Sequence, residues 1–408
     1  MNKRKIINDP VYGFITIPYE IIFDIVEHEW FQRLRRIEQL GLSHLVYPGA
    51  IHTRFNHALG AMHLIGKAIN VLRSKGKEIT EKEAEAVTIA ILLHDIGHGP
   101  FSHALEKTIL SNVHHEELSI LFMESLNLQF NNRLSMAIDI FKAKYHKKFL
   151  HQLVSSQLDV DRLDYLTRDS YFTGVHEGVI GYDRLIEMMD VENDELVIEH
   201  KGIYSVEKFI IARRVMYWQV YLHKTVICAE QMLIKTLKRA KYLAKSGTQL
   251  FATPALHYFL YRDVELKDFN NDSQLLDRYA QLDDTDIYAS LKEWQHCDDR
   301  VLSFLSSGII NRKLFRIELQ NEPISAQRIN SITASVRAAY KITDGFDLQY
   351  YVFNDVTTNS AYNLEANNIN IKFRTGEVMD VTSASDHLNL AALAGTVVKH
   401  YICYPKEN

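Results

Sequence analysis

The stretch LLHDIGHGPFSH, residues 92–103, gathers His94, Asp95, His98 and His103 and breaks their run with Gly97, Gly99 and Pro100. Ahead of it, AEAVTIAILL (84–93) is apolar with helical texture, which predicts a buried helix from Glu81 to Leu93. A helix that ends in water needs one capping group, not four groups able to bind a metal or move a proton. Histidine and aspartate suit a borderline divalent metal such as Mn, Fe, Ni or Zn. Adjacent positions diverge by about 100° around a helix, so His94 and Asp95 can share one ion only at a helix end. The glycines that follow supply such an end.

A single-ion site needs ligands from elsewhere in the chain. Two candidates stand out: His57 in TRFNHALG (53–60) and Asp161 in SQLDVDRLDYLTRDSYFTG (156–174). A lone histidine–aspartate pair is ordinary in any protein. The same pair followed by IGHGPFSH, preceded by RFNH and followed by DVDRLDY is not.

Composition sets the bounds. With 408 residues, the chain can bury a large core and hold two domains. Apolar residues make up 47% and charged ones 24%, an ordinary balance for a soluble globular protein. Glycine (17) and proline (7) are sparse, which favours long helices over a many-stranded sheet. A net charge of −5 argues against broad, sequence-independent DNA binding, so a nucleic-acid partner is not expected, and leaves room for a local basic pocket. The three cysteines, Cys228, Cys297 and Cys403, form no metal-ligand spacing and suit a reducing cytoplasm. The N-terminus MNKRKIINDPVYGF lacks the apolar core of a signal peptide. No apolar run approaches the ~18 residues of a membrane span, so a cytoplasmic protein with no membrane partner is expected.

Along the chain, NDPVYGFITI (8–17) reads as a turn and a short strand, and helical texture then runs from Tyr19 to a stop at Gly41. Further helices are expected at 53–76, 81–93, 115–129, 131–142, 148–172 and 205–245, with a hairpin near 196–206 turning at Lys201-Gly202. After residue 300 the texture changes. KLFRIELQ, LQYYVFNDV and INIKFRTGEVMDVT read as strands, with helices near 326–341 and 385–403. The expected fold is mainly α: a helical core over 1–300 and a small α+β C-terminal domain over 301–408.

The motifs together carry a resemblance. NDPVYGFI, FQRLRRIEQLG, YPGAIHTRFNHALG, LLHDIGHGPFSH, HHEE, LDVDRLDYLTRDS and YLHK, which cover most of residues 5–225, make the chain similar to the HD-superfamily phosphohydrolases. Within them it resembles the deoxynucleoside triphosphate triphosphohydrolase branch. The resemblance implies His57, His94, Asp95 and Asp161 as metal ligands, with Asp95 also at the reaction centre, and His98 and His115 beside the α-phosphate. It also implies a nucleotide substrate, Mg able to accompany it, a homo-oligomer (dimer or tetramer), and a nucleotide activator between subunits, with Lys5 and Arg35 in the matching stretches. The residues agree on roles, because phosphate-ester hydrolysis at neutral pH needs a metal and an acid for the departing 5′-oxygen. Histidine can be that acid. His115 is preferred over its neighbour His114, because the relatives have a His-Glu pair at this point.

Asp161, Tyr165 and Asp169, at i, i+4 and i+8, share one helix face. That face can carry a metal ligand, a ring against a sugar and an acceptor for its hydroxyl. Arg54 and Arg162 are natural phosphate clamps, with His103, Arg213 and Lys224 as weaker candidates. Gln39 and Leu40 match the stretch that meets the ribose in the resembling branch. Leu40, with Tyr221 as a second wall, would leave a 2′-hydroxyl unpaired at a cost of ~1–3 kcal/mol, which favours deoxynucleotides. Two other readings compete. One is a different HD chemistry: a nucleoside monophosphatase, an alarmone hydrolase or a cyclic-dinucleotide phosphodiesterase, although GYD at 181–183 is not the GYP signature of the last. The other is a nucleotide-binding regulator, such as a defence component, in which hydrolysis is secondary.

Overall fold

A computed structural model describes residues 5–406 apart from 102, 107, 111–112, 273, 361, 363–367 and 387–394. The chain opens with a hairpin, β1 (Ile6–Asp9) and β2 (Gly13–Thr16), and continues through α1 (Glu20–Glu27) and α2 (Glu29–Gln32). The helix expected from Tyr19 to Gly41 is therefore broken. His28 takes an extended conformation, and its ring accepts the Trp30 N–H to start α2.

The functional part of the core is built from α3 (Arg54–Ser74), α4 (Glu81–Leu93), α5 (His103–Glu106), α6 (His115–Gln129), α7 (Ser135–Phe141), α8 (Lys148–Val154) and α9 (Val160–Thr173). α3 packs on both α4 and α9. Thr80 and Glu83 cap α4 reciprocally: the Thr80 hydroxyl accepts the Glu83 N–H at 3.2 Å, and the Glu83 carboxylate accepts the Thr80 N–H at 2.8 Å. At its other end Ile91, Leu92 and Leu93 are fully buried, each contributing about 1.5–3 kcal/mol. That burial fixes where His94 and Asp95 emerge. The single helix expected over 148–172 is two, because Asp159 caps a fresh start by accepting the Arg162 N–H at 2.8 Å.

Next come α10 (Tyr182–Glu187), β3 (Met189–Glu192), β4 (Glu195–Glu199), α11 (Ile203–Met216) and α12 (Lys224–Lys245). The expected hairpin exists, but earlier in the chain. It turns at Asn193-Asp194, whose φ angles of 50° and 63° are those of a tight two-residue turn, while Lys201-Gly202 leads into α11. The helix expected over 205–245 is interrupted by a wide turn at Tyr217–Tyr221 and restarts at Lys224.

After α13 (Pro254–Leu260), α14 (Leu266–Asn271), α15 (Leu275–Tyr279), α16 (Asp284–Trp294) and α17 (Arg300–Ile310), the tail supplies β5 (Arg316–Gln320), α18 (Ala326–Ala339), α19 (Gly345–Leu348), β6 (Phe353–Asn359), β7 (Asn370–Lys372), β8 (Val378–Asp380), α20 (Val381–Ala384) and β9 (Val397–Tyr404). β9 lies between β5 and β6 in an antiparallel sheet, so the helix expected over 385–403 is corrected to a strand over its last part. β7 runs parallel to β4, which joins tail and hairpin in one four-stranded sheet. The molecule is mainly α with small sheets, as expected. No described helix is long and apolar enough to cross a membrane.

Candidate metal centre

Three helix ends meet at one point: His57 in the first turn of α3, His94 capping the end of α4, and Asp161 in the first turn of α9. The Nε2 atoms of His57 and His94 are 3.3 Å apart. Asp161 Oδ1 lies 3.1 Å from the first and 3.4 Å from the second. Asp95 closes the group, with Oδ1 3.4 Å from His94 Nε2 and Oδ2 3.8 Å from His57 Nε2.

The other ring nitrogens decide what this group can hold. His57 Nδ1 meets Asp164 Oδ2 at 2.8 Å, and His94 Nδ1 meets the Ile91 carbonyl at 2.6 Å. Both partners only accept, so both hydrogens are assigned to Nδ1. Two Nε2 lone pairs and two carboxylates then converge on one point. Burial alone would lower the pKa of His57, but Asp161 and Asp164 outweigh it and push it up to about 10. The cluster demands positive charge, which a proton or a divalent cation can supply. An imidazole and carboxylate donor set fits a borderline divalent ion.

Behind His57 runs a buried chain that sequence reasoning missed. Asp164 accepts from Arg168 through Nε and Nη2, each at 2.9 Å, and Arg168 Nη1 donates to Asp9 Oδ2 at 2.8 Å. Such partners fix the orientation of a metal-binding imidazole. Gly60 is required for this approach, since a Cβ there would sit 1.9 Å from Asp164 Oδ1. The available signal was the spacing: Asp164 lies three residues past Asp161 on the same face, with Arg168 one turn further.

Beside the centre, His98 Nε2 lies 3.2 Å from Asp95 Oδ1, and its ring stacks on His115 with centroids 3.8 Å apart. His115 Nδ1 meets Glu106 Oε1 at 2.9 Å. His98, Glu106 and His115 form a second compact His–carboxylate group, of which Glu106 was not anticipated from sequence. Burial first, then the Arg54 charge, pushes the His98 pKa down to about 3, so its ring is neutral. Gly97 lets α6 come this close, because a Cβ would lie 2.2 Å from the His115 carbonyl oxygen. His114, by contrast, is exposed, and at the start of α6 its backbone N–H donates to Glu117 Oε2 at 3.1 Å.

A cavity of about 540 Å³ adjoins the centre, lined by Gln39, Leu40, Arg54 and Tyr221 among others. Arg54 belongs to both, since its Nη1 donates to Asp95. The Tyr221 hydroxyl donates to Asp169 Oδ2 at 2.7 Å, and His52 Nε2 meets Asp169 Oδ1 at 2.8 Å. Burial and then the Asp169 charge hold the Tyr221 phenol well above its usual pKa, so it stays protonated. The Tyr165 ring packs edge-on to Tyr221 at 6.2 Å. Arg162 is held by Asp159 and lies 4.0 Å from Asp161. Among the described residues, Gln39 Oε1, Arg54 Nε, Arg162 Nε and Arg213 Nε are buried without a hydrogen-bond partner. Buried polar atoms left unmet cost stability unless something binds them. Lys224 is exposed at the start of α12, and the side chain of His103 lies outside the described residues.

The HD domain family model matches residues 54–169, and a model for an HD associated region matches 180–251. YwfO of Bacillus subtilis is 32% identical over 424 residues, spanning 100% of this chain and 93% of that protein. The deoxynucleoside triphosphate triphosphohydrolase SAMHD1 homolog of Dictyostelium discoideum is 34% identical over 61% of this chain and 52% of its own length. A crystal structure of a phosphohydrolase from Bacteroides thetaiotaomicron superposes with a TM-score of 0.95 at 54% identity, covering 99% of this chain and 100% of that one.

Proposed function

This chain belongs to the HD-domain phosphohydrolase family, and on that premise we propose that it hydrolyses deoxynucleoside triphosphates to a deoxynucleoside and tripolyphosphate. The observation that carries the reading is the cavity of about 540 Å³ that meets the metal-ligating cluster at Arg54. Its size is in the range of small-ligand sites. The named activity of the Dictyostelium relative supports the same substrate class.

His57, His94, Asp95 and Asp161 would hold one divalent ion, of Mn, Fe, Ni or Zn. Bound there, the ion supplies Lewis acidity toward a phosphoryl oxygen and a water of lowered pKa. Arg54, Arg162 and Arg213 offer guanidinium N–H groups to the phosphate oxygens, which orients the α-phosphorus toward the cluster. Water attacks that phosphorus, and its bond to the 5′-oxygen breaks. His115, steadied by Glu106 at Nδ1, gives the departing 5′-oxygen its proton, and neutral His98 flanks the α-phosphate.

Leu40 and Tyr221 account for the sugar. Both line the cavity, and the Tyr221 hydroxyl is already committed to Asp169, so a ribose 2′-hydroxyl would meet an apolar carbon or a spent donor. An unmet hydroxyl costs ~1–3 kcal/mol, which is roughly 5- to 150-fold in kcat/KM. Each dNTP is therefore expected to exceed its matching rNTP by that factor, and Leu40→Ala should shrink the margin by admitting water beside the 2′-hydroxyl. Equal rates for dNTP and rNTP would remove the Leu40/Tyr221 wall from the account.

A further inference from the structure

Two stretches that line the cavity are tied to one carboxylate that does not. Asp284, the first residue of α16, is buried; its Oδ2 accepts the Glu38 N–H at 2.8 Å and its Oδ1 the Phe101 N–H at 3.2 Å. Glu38 and Phe101 both line the cavity, as do Gln39 and Leu40, which follow Glu38 directly. Phe101 stands between His98 and Glu106 in the chain. α16 does not need this carboxylate for its own start, because Asp283 caps it by accepting the Thr285 N–H at 2.9 Å. One turn on, Tyr288 bridges the same two stretches. Its ring packs edge-on to Phe101 at 5.4 Å, and its hydroxyl meets His44 Nε2 at 3.2 Å. His44 Nδ1 in turn meets Glu38 Oε2 at 2.9 Å, so Asp284, Glu38, His44, Tyr288 and Phe101 close a ring of contacts.

Phe101 shows why such a hold is needed. Its φ of 47° lies in the left-handed region, which a bulky side chain rarely adopts. Strain of that kind persists only where the surroundings impose it, and here the bond to Asp284 and the Tyr288 ring do so. We infer that Asp284 is a positioning residue of the candidate site: one carboxylate sets the spacing between the sugar-facing segment at Gln39-Leu40 and the segment that carries His98 and Glu106. It acts as a clamp on two backbone N–H groups. The inference rests on the reading that this cavity holds a deoxynucleotide beside the metal-ligating cluster.

Burial pushes the Asp284 carboxyl up to about 7 against the lowering effect of the Glu38 N–H, so the test is run at about pH 8.5, where it is ionised. Asp284→Asn keeps the shape but has one accepting oxygen. It should hold the shorter bond to Glu38 and release Phe101, whereas Asp284→Ala releases both. Rates with dGTP and GTP, hydrogen exchange at the Glu38 and Phe101 amides, metal content and melting temperature are measured for the unaltered chain and both variants. Both variants should retain the metal and lose about 10- to 100-fold in kcat, the scale of a small misplacement of reacting groups. The dGTP-to-GTP ratio should hold in Asp284→Asn and shrink toward one in Asp284→Ala. Exchange at Phe101 should quicken about 10-fold or more in both variants, and at Glu38 in Asp284→Ala alone. A lower melting temperature with kcat and the ratio unmoved would leave Asp284 a stabilising residue only and overturn the inference, while the proposed hydrolysis stands. If the unaltered chain hydrolyses neither nucleotide, the proposed activity fails. The clamp then stands only if Asp284→Ala frees both amides together, and falls if it frees one or neither.

Discussion

Asp161→Ala should empty the metal centre: elemental analysis should find about one divalent ion per unaltered chain and less than roughly a tenth of that in the variant, with turnover lost. The carboxylate approaches both Nε2 atoms through a single oxygen, Oδ1, at 3.1 and 3.4 Å. Without it, two imidazole lone pairs 3.3 Å apart share a buried site with Asp95 alone. The remaining two imidazoles and one carboxylate lose the oxygen nearest both Nε2 atoms and one unit of negative charge, which weakens binding enough for the ion to be lost during purification. Asp161→Asn keeps the volume and serves as the check on folding, because circular dichroism and melting should then match the unaltered chain while the metal is still lost. Unchanged metal content in both variants would remove Asp161 from the ligand set.

His115→Ala should reduce kcat by on the order of 10²–10⁴, the range of a general acid, while retaining metal and fold. The ring stacks on His98 and is oriented by Glu106, which puts it beside the centre without joining the ligand group. His114→Ala is the control. Its ring is exposed and the bond to Glu117 uses its backbone N–H, which alanine keeps, so its loss should cost little stability and little activity. If His114→Ala loses the larger factor and His115→Ala does not, the two histidines have been assigned the wrong way round.

Much of this was legible in the sequence, for identifiable reasons. The helices at 54–74, 81–93 and 115–129 announce themselves through local periodicity and capping residues, and His57 and His94 sit at the ends of the first two. What escaped depends on contacts far along the chain. The sequence around β9 reads as a helix because the apolar run LNLAALAGTVV (388–398) leads into it. Its strand state is set by β5 and β6, which pair with it from about 40 to 90 residues away in sequence. The β3–β4 turn was misread because Lys-Gly resembles a turn more than Asn-Asp does, although Asn and Asp tolerate the left-handed backbone found there. Asp164 and Arg168 were visible as spacing, but their meaning required Asp9, which reaches them only through the fold. That α12 and β6 line one cavity could not be read locally at all, since the two elements are more than a hundred residues apart in sequence.

Hydrolysis of dGTP in H₂¹⁸O, with products separated by ion exchange and weighed by mass spectrometry, tests the central claim most directly. Attack at the α-phosphorus predicts deoxyguanosine and intact tripolyphosphate, with the ¹⁸O label in the tripolyphosphate and none in the nucleoside. Orthophosphate or pyrophosphate as the labelled product, or orthophosphate released from monophosphates while dGTP stays intact, would contradict the account.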